Sequence, residues 1–180
     1  MAYRKEALMN RQQAFGLVEL LMVLVLLGII FGVAVPSFGN LLERTRQNAE
    51  VDQLVDAINL ARGTAITRNK VLSLCAGNDL CDGSARWRQQ ILIFLDDNRN
   101  GQRDAGEVLL RQLQLPAGLN WNWSNSRSQK HLAFLPSGLT HRLNGTFTLC
   151  QGERAIRDVV ISVTGRVRFR TPANSDDCAQ

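Results

Sequence analysis

The sequence predicts an α+β fold in which one long N-terminal helix packs on an antiparallel β-rich head. Two observations predict it. From residue 38 to residue 65 apolar residues recur at three-to-four spacing, which continues the apolar run of residues 20–35 and indicates one long helix from about residue 17 to about residue 69. From residue 70 the period changes to two, and Gly, Pro and Asn separate the apolar runs, which is typical of short strands joined by turns.

The helix begins in an apolar segment that contains one acid. Residues 15–35 carry a single charge, Glu19, and roughly 20 apolar residues suffice to span a bilayer. We therefore expect residues 15–36 to form a membrane-spanning first half. Because a carboxylate at depth is costly, Glu19 is a candidate functional residue. A secretory signal and an uncleaved anchor are the alternative interpretations.

The charges around this segment predict its orientation. Arg4, Lys5 and Arg11 precede it against one acid, Glu6, so the positive-inside rule keeps that end cytoplasmic and sends the head outside. The whole chain has a net charge of +5, almost all of it from Arg, but that charge alone does not identify a partner.

Beyond a bend expected near Pro36 and Gly39, residues 37–69 form the amphipathic second half of the helix. Residues 70–180 form the head with a basic C-terminal tail, which is enough chain for one domain with a core. The strands are predicted at residues 71–74, 88–94, 108–115, 119–123, 132–135, 146–149 and 158–163.

Four cysteines in a translocated head indicate two disulfides. Three connectivities are possible. We favour Cys75–Cys81 as a local loop and Cys150–Cys178 as a link to the C-terminal tail. A zinc site is disfavoured because no C-x2-C pair is present.

The run Ala14-Phe15-Gly16-Leu17-Val18-Glu19 resembles the leader junction of type IV pilins and type II secretion pseudopilins, which typically reads Gly-Phe-Thr-Leu-Ile-Glu. This chain departs from that pattern at Ala14 and Gly16. The resemblance implies that residues 1–14 are a leader removed by a prepilin peptidase after Ala14. It also implies N-methylation of Phe15 and a role for Glu19 in docking into a filament.

The head resembles the GspH/FimT branch of that family. Its order of helix, Cys-containing strand, hairpin and the Gly-Thr-Phe-Thr-Leu-Cys segment at residues 145–150 carries the likeness. The resemblance implies a head of two sheets and partners among the major and minor pilins. It further implies a single-pass inner-membrane protein with a periplasmic head, which later enters a pilus or pseudopilus at the cell surface.

One loop matches a calcium-binding pattern. Residues 96–107 fit D-x-[DN]-x-[DN]-G-x5-E, which proposes a calcium site at Asp96, Asn98, Asn100, Asp104 and Glu107. An EF-hand loop joins two helices, however, whereas this one joins two predicted strands. Arg99 and Arg103 also offset the acids. We therefore expect a hairpin connection with Asx-turns and no cofactor, and we keep a membrane-anchored calcium module as an alternative.

The C-terminal segment alternates arginines with apolar residues. In an extended chain Arg166, Arg168 and Arg170 share one face at about 6.6–7 Å spacing, as a ladder for a phosphate backbone would require. The neighbouring cations Arg142, Arg154 and Arg157 could widen this patch. A charged edge strand that prevents aggregation explains the same pattern.

The Gly-Arg-x-Arg formed by Gly165, Arg166 and Arg168 resembles a motif of FimT-type minor pilins that is implicated in DNA uptake. It implies a minor type IV pilin that binds DNA without sequence specificity during natural transformation. A structural pilin that primes or links pilus assembly, and a type II secretion pseudopilin, remain the alternatives.

Two further residue sets carry other possibilities. Trp121 and Trp123 could stack on bases, although such a pair more often packs a sheet. His131 and His141 lack a nucleophile or metal partner set, so the sequence predicts no enzyme.

Overall fold

The computed structural model describes residues 16–173 and Cys178, except for the side chains of residues 33–37. Helix α1 spans Leu17–Arg68. The strands that follow are β1 (Leu72–Ala76), β2 (Arg86–Trp87), β3 (Gln90–Leu95), β4 (Leu109–Gln114), β5 (Leu119–Asn125), β6 (His131–Phe134), β7 (Gly145–Gln151), β8 (Arg154–Ile161) and β9 (Val167–Arg170). They form a four-stranded sheet in the order β4-β3-β1-β6 and a five-stranded sheet in the order β2-β5-β7-β8-β9. The predicted architecture of one long helix and two antiparallel sheets is confirmed.

Helix α1 ends one residue before its predicted end because Asn69 adopts a left-handed conformation with φ of 53°. The N–H of Lys70 donates to the carbonyl of Ala65 at 3.2 Å, and the N–H of Asn69 donates to that of Ile66 at 3.4 Å. This is the Schellman arrangement, in which the two bonds satisfy carbonyls that the helix end would leave free.

The chain divides into two compact units, Met1–Thr45 and Arg46–Gln180. In the first unit the large apolar side chains of α1 from Leu17 to Phe31 are exposed, as are Phe38, Leu41 and Leu42. Among the described residues, no helical segment has both the length and the apolarity needed to cross a membrane.

In the second unit, α1 contributes one face to a core that it shares with both sheets. Val51, Leu54, Ala57, Ile58, Ala61 and Ala65 are the buried apolar residues of that face. They pack with Leu74, Ile93 and Phe134 of the four-stranded sheet and with Trp121, Phe147 and Val159 of the five-stranded one. This part of α1 therefore has one face buried against both sheets.

The structure differs from the predicted strands most clearly at three places. The strand predicted from residue 158 begins four residues earlier, at Arg154. The strand predicted from residue 88 begins at Gln90, because Gln89 has a φ of 63° and the N–H of Gln90 donates to the carbonyl of Arg88. The sequence analysis also missed β2, which has only two residues and pairs Arg86 with Asn122 and Trp87 with Trp121. Two residues are too few for a period-two pattern to be visible.

The disulfides join Cys75 to Cys81 and Cys150 to Cys178. These are the pairs that the sequence analysis favours. The first links β1 to the connection that follows it. The second ties a C-terminal residue to β7, 28 residues earlier in the chain.

Glu50 places a carboxylate inside the core. Its side chain is 4 % exposed, and its Oε1 accepts a hydrogen bond from Trp121 Nε1 at 3.1 Å. Burial raises the pKa of Glu50, although the Trp121 hydrogen bond and the charge of Arg46 act in the opposite direction. The folded chain therefore binds a proton at Glu50 more tightly than the unfolded chain does.

We expect Glu50→Gln to be more stable than the parent chain at pH 7, with a smaller difference at pH 4. Because the pKa of Glu50 is raised in the folded state, the contribution of Glu50 to the free energy of unfolding is fully present below the ordinary Glu pKa of about 4.3. It is lost as pH rises through the folded-state pKa. Each tenfold change in proton affinity corresponds to about 1.4 kcal/mol. Urea unfolding of the full chain in mild detergent, followed by tryptophan fluorescence, measures both differences. Asp52→Asn, an exposed change on the same helix, is the control, and a pH-independent gain would contradict the prediction.

Candidate nucleic-acid interface

The arginine-rich segment forms β9, an edge strand of the five-stranded sheet. Arg168 lies opposite Val160 of β8, and Arg170 lies opposite Asp158. Arg166 precedes the strand, where its carbonyl accepts a hydrogen bond from the N–H of Ser162 at 3.1 Å. Arg166, Arg168 and Arg170 are all exposed.

Arg170 differs from the other two arginines because it is paired with a buried acid. Its Nε and Nη2 donate to Oδ2 of Asp158 at 3.1 and 2.9 Å. The Asp158 side chain is 1 % exposed, and its Oδ1 accepts a further hydrogen bond from Thr148 Oγ1 at 2.8 Å. Because a buried carboxylate needs such compensation, Arg170 has a structural role in the sheet. Within residues 16–173, Arg166 and Arg168 have no acidic partner.

The three other candidate arginines do not lie together. Arg142, with a φ of 57°, lies in the connection between β6 and β7. That connection meets the β8–β9 turn, because the N–H of Thr140 donates to the carbonyl of Val163 at 2.9 Å. Arg142 thus belongs to the same end of the sheet as Arg166 and Arg168.

Arg154 and Arg157 lie elsewhere on the five-stranded sheet. Arg154 pairs with Gln151 at the far end of β8, six residues and about 20 Å from the position opposite Arg168. Arg157 lies opposite Leu149, beside the bulge between Leu149 and Cys150, and cross-strand partners share a face of the sheet. Arg157 is therefore on the face of β8 opposite to Asp158, away from Arg168 and Arg170. The predicted six-arginine patch therefore separates into a cluster at one end and isolated cations.

Gly165 lies in the turn between β8 and β9, where a side chain would not fit. Its φ is 73°, and a Cβ atom there would lie 2.9 Å from both the carbonyl oxygen of Gly138 and Nε of Arg62. Gly165 is buried, and its N–H donates to the carbonyl of Ser162 at 2.8 Å. The glycine of the Gly-Arg-x-Arg segment thus fixes the backbone that presents Arg166.

Arg62 of α1 is the residue at this end that the sequence analysis did not include in the site. It is half-buried, and its Nε donates to the carbonyl oxygen of Gly138 at 2.9 Å. Its partner lies 76 residues away, so no local pattern could have identified the contact.

The segments that form this end contain no acids. Residues 57–78, 108–152 and 159–175 lack Asp and Glu altogether. Arg62 comes from the first segment, Arg142 from the second, and Arg166 and Arg168 from the third. Within residues 16–173 none of these four arginines forms a salt bridge, so their charge is available to attract an anion.

The three tryptophans are not available to stack on bases. Trp87, Trp121 and Trp123 are at most 3 % exposed. They surround Phe147 with ring-centroid distances of 4.7, 6.4 and 4.2 Å. The base-stacking hypothesis for Trp121 and Trp123 is therefore wrong, because alternation along β5 points both rings into the core.

The loop of residues 96–107 joins β3 to β4, both strands as predicted, and its acids accept hydrogen bonds from neighbouring donors. Asp96, which is 1 % exposed, accepts from Ser73 Oγ and from the N–H groups of Asn100 and Gly101 at 2.6–3.0 Å. Asp104 accepts from the side-chain amides of Asn98 and Asn100. Glu107 accepts from the N–H groups of Asp97 and Asp104. These bonds explain the loop as a hairpin connection, and calcium binding stays a prediction.

His131 packs directly against this loop. A Cβ atom at Gly101 would lie 2.1 Å from its ring. Burial lowers the pKa of His131, while the charge of Asp96 acts to raise it. Such a contact is structural. Among the described residues, no group of three or more His, Cys, Asp or Glu side chains is gathered for a metal ion.

Comparison with known proteins identifies two matching family sequence models. The model of GspH, described as a type II transport protein, matches residues 50–165. The model of the prokaryotic N-terminal methylation motif matches residues 9–35. The first match covers most of the head and ends at Gly165, immediately before the two unpaired arginines.

Relatives are found by sequence and by structure. The pilin-like protein PilA1 of Thermus thermophilus is 30 % identical over 167 residues, which are 88 % of this chain and 98 % of that protein. The type IV minor pilin FimU of Pseudomonas aeruginosa has a similar fold, with a TM-score of 0.57 and 21 % identity over 77 % of this chain and 98 % of that one. A second crystal form of FimU gives a TM-score of 0.52 at 19 % identity, covering 74 % of this chain and 99 % of that one.

We expect Gly165→Ala to destabilise the head by about 1–3 kcal/mol, because it adds a clash to an unfavourable backbone conformation. Gly152→Ala is the matched control. Gly152 has a φ of 60°, but nothing lies within 4 Å of a Cβ there. Gly152→Ala should therefore lower the free energy of unfolding only by the strain of the left-handed backbone, about 1 kcal/mol. Urea unfolding of the full chain measures both losses, and equal losses would show that packing at Gly165 does not matter.

Proposed function

The chain belongs to the GspH family of minor pilins and pseudopilins, and on that basis we propose that it is a minor type IV pilin whose head binds DNA during uptake. Its coarser function, as a subunit that associates with other pilins in a pilus or pseudopilus, follows from the family. The proteins that it resembles are named as pilins, so we infer a structural role and no catalysis.

One observation supports DNA binding above the others. Arg166 and Arg168 lie two residues apart, are exposed, and have no acidic partners within residues 16–173. The guanidinium group matches phosphate as a planar fork of donors. Arg142 adds a third cation at the same end.

The same surface supports contact with the phosphate backbone rather than with bases. The tryptophans are buried, so stacking of the kind used by single-strand-binding proteins has no platform among them. Phosphate contacts made by arginine carry no sequence information and weaken as salt rises. Non-specific capture of DNA is the function that fits this chemistry.

For the N-terminal segment we propose the processing that its motif implies. The methylation-motif match over residues 9–35 supports cleavage after Ala14 by a prepilin peptidase and methylation of Phe15, two residues that lie outside the described part. Glu19 is exposed in the first turn of α1, where it can pair with the new amine of a neighbouring subunit. The chain would be held in the inner membrane with a periplasmic head before assembly.

We expect the double variant Arg166→Gln/Arg168→Gln to bind random-sequence duplex DNA more weakly than the parent chain. Each lost phosphate contact should flatten the slope of log Kobs against log salt by about 0.9, so the double variant should flatten it by about 1.8. Electrophoretic mobility shift at several salt concentrations, with the full chain in detergent, measures this. Arg111→Gln removes one positive charge from an exposed position on the four-stranded sheet and should bind like the parent.

The same double variant discriminates the alternatives in cells. If it assembles pili but fails in transformation, DNA uptake is the function. If it behaves like the parent in both assays and retains its DNA affinity in vitro, the DNA-binding proposal is wrong. A role in priming assembly or in type II secretion would then remain.

A further inference from the structure

We propose that Arg62 of helix α1 is a further phosphate-binding residue, so that the anion site is built jointly by the helix and the β8–β9 turn. This inference rests on the proposed DNA-binding function and adds to it a residue from a different element. No motif in the C-terminal segment includes Arg62.

Within residues 16–173, only one nitrogen of the Arg62 guanidinium group, Nε, makes a hydrogen bond. Its Nε donates to the carbonyl oxygen of Gly138 at 2.9 Å. Within residues 16–173, Nη1 and Nη2 of Arg62 make no hydrogen bond and no salt bridge. One end of the fork is thus held by the protein while the donors that bind phosphate bidentately stay available.

Arg62 lies against the turn that carries Arg166. A Cβ atom at Gly165 would lie 2.9 Å from Arg62 Nε and 3.1 Å from Arg62 Cδ, so the arginine stem covers the glycine face. Arg166 is the next residue along the chain. Only because Gly165 lacks a side chain can the helix arginine approach this closely.

A purely structural role does not use what Arg62 offers. Holding the Gly138 carbonyl uses one of the five N–H donors of the guanidinium group. Arg62 also brings a permanent charge to an end of the head whose three segments contain no Asp or Glu. An unneutralised, partly immobilised guanidinium among further free arginines has the chemistry of a contact to a polyanion.

Its position on a helix also lowers the conformational entropy that Arg62 would lose on binding phosphate. The backbone of Arg62 belongs to α1, and its Nε donates to the carbonyl of Gly138. The side chain therefore has little conformational freedom left to lose when a phosphate binds. Arg166 and Arg168 are exposed and lie at a strand edge. Arg62 therefore provides the most rigid contact of the set.

The test measures the salt dependence of DNA binding by the full chain in detergent, using fluorescence anisotropy and a labelled random-sequence duplex. Arg62→Gln removes the charge, and Arg62→Lys keeps it without the fork. Arg44→Gln, an exposed change on the same helix, is the control, and Arg166→Gln/Arg168→Gln is the reference. Unfolding transitions of every variant establish that each one is folded.

We expect Arg62→Gln to bind several-fold more weakly and to flatten the slope of log Kobs against log salt by about 0.9, the loss of one phosphate contact. Arg62→Lys should keep the parent slope, and Arg44→Gln should match the parent throughout. An unchanged slope in Arg62→Gln would overturn the inference. So would equal losses in Arg62→Gln and Arg62→Lys that match the reference variant, because Arg62 would then only hold the turn.

The reference variant separates this inference from the function on which it rests. If Arg166→Gln/Arg168→Gln loses binding while Arg62→Gln does not, only the role of Arg62 fails. If the reference variant binds like the parent chain, the DNA-binding function itself fails.

Discussion

The head depends on the burial of one helical face against two sheets at once. That face carries small residues, Ala57, Ala61 and Ala65, at four-residue intervals and without exposed surface. The five-stranded sheet contributes large side chains, among them Trp121 and Phe147, to the same core cluster. Small residues on the helix leave room for large rings on the sheet, and close packing of this kind gives a unique arrangement. Because both sheets share this core with α1, residues distant in the chain reach fixed positions around it.

The basic end of the head follows from that arrangement. The last turns of α1 lie beside the connections that precede β7 and β9, because Arg62 contacts Gly138 in the first and Gly165 in the second. Three acid-free stretches of sequence meet there, although nothing in any one of them indicates the others. Arginines that would produce a weak electrostatic potential on one strand produce a stronger one when the fold brings cations from several elements together.

Periodicity predicted most of the fold because it records which side of an element is buried. The helix, the order of the strands and the hairpin at residues 96–107 all follow from it. Periodicity could not locate β2, which has two residues, or the break at Gln89, where a non-glycine residue takes a positive φ. The site was less predictable. The face shared by Arg168 and Arg170 follows from alternation, but the pairing of Arg170 with Asp158 and of Arg62 with Gly138 depends on tertiary contacts.

The structure also separates the parts of the Gly-Arg-x-Arg segment that the fold requires from the parts that it does not. Gly165 is explained by its φ and by the approach of Arg62 and Gly138, whatever the protein binds. Arg170, just beyond the segment, is explained by the buried carboxylate of Asp158. No comparable contact within residues 16–173 explains Arg166 or Arg168, or the free end of Arg62. Within residues 16–173, neutral residues at Arg166 and Arg168 would cost the fold no hydrogen bond or ion pair of their side chains, which is why the proposed DNA contact rests on these two positions.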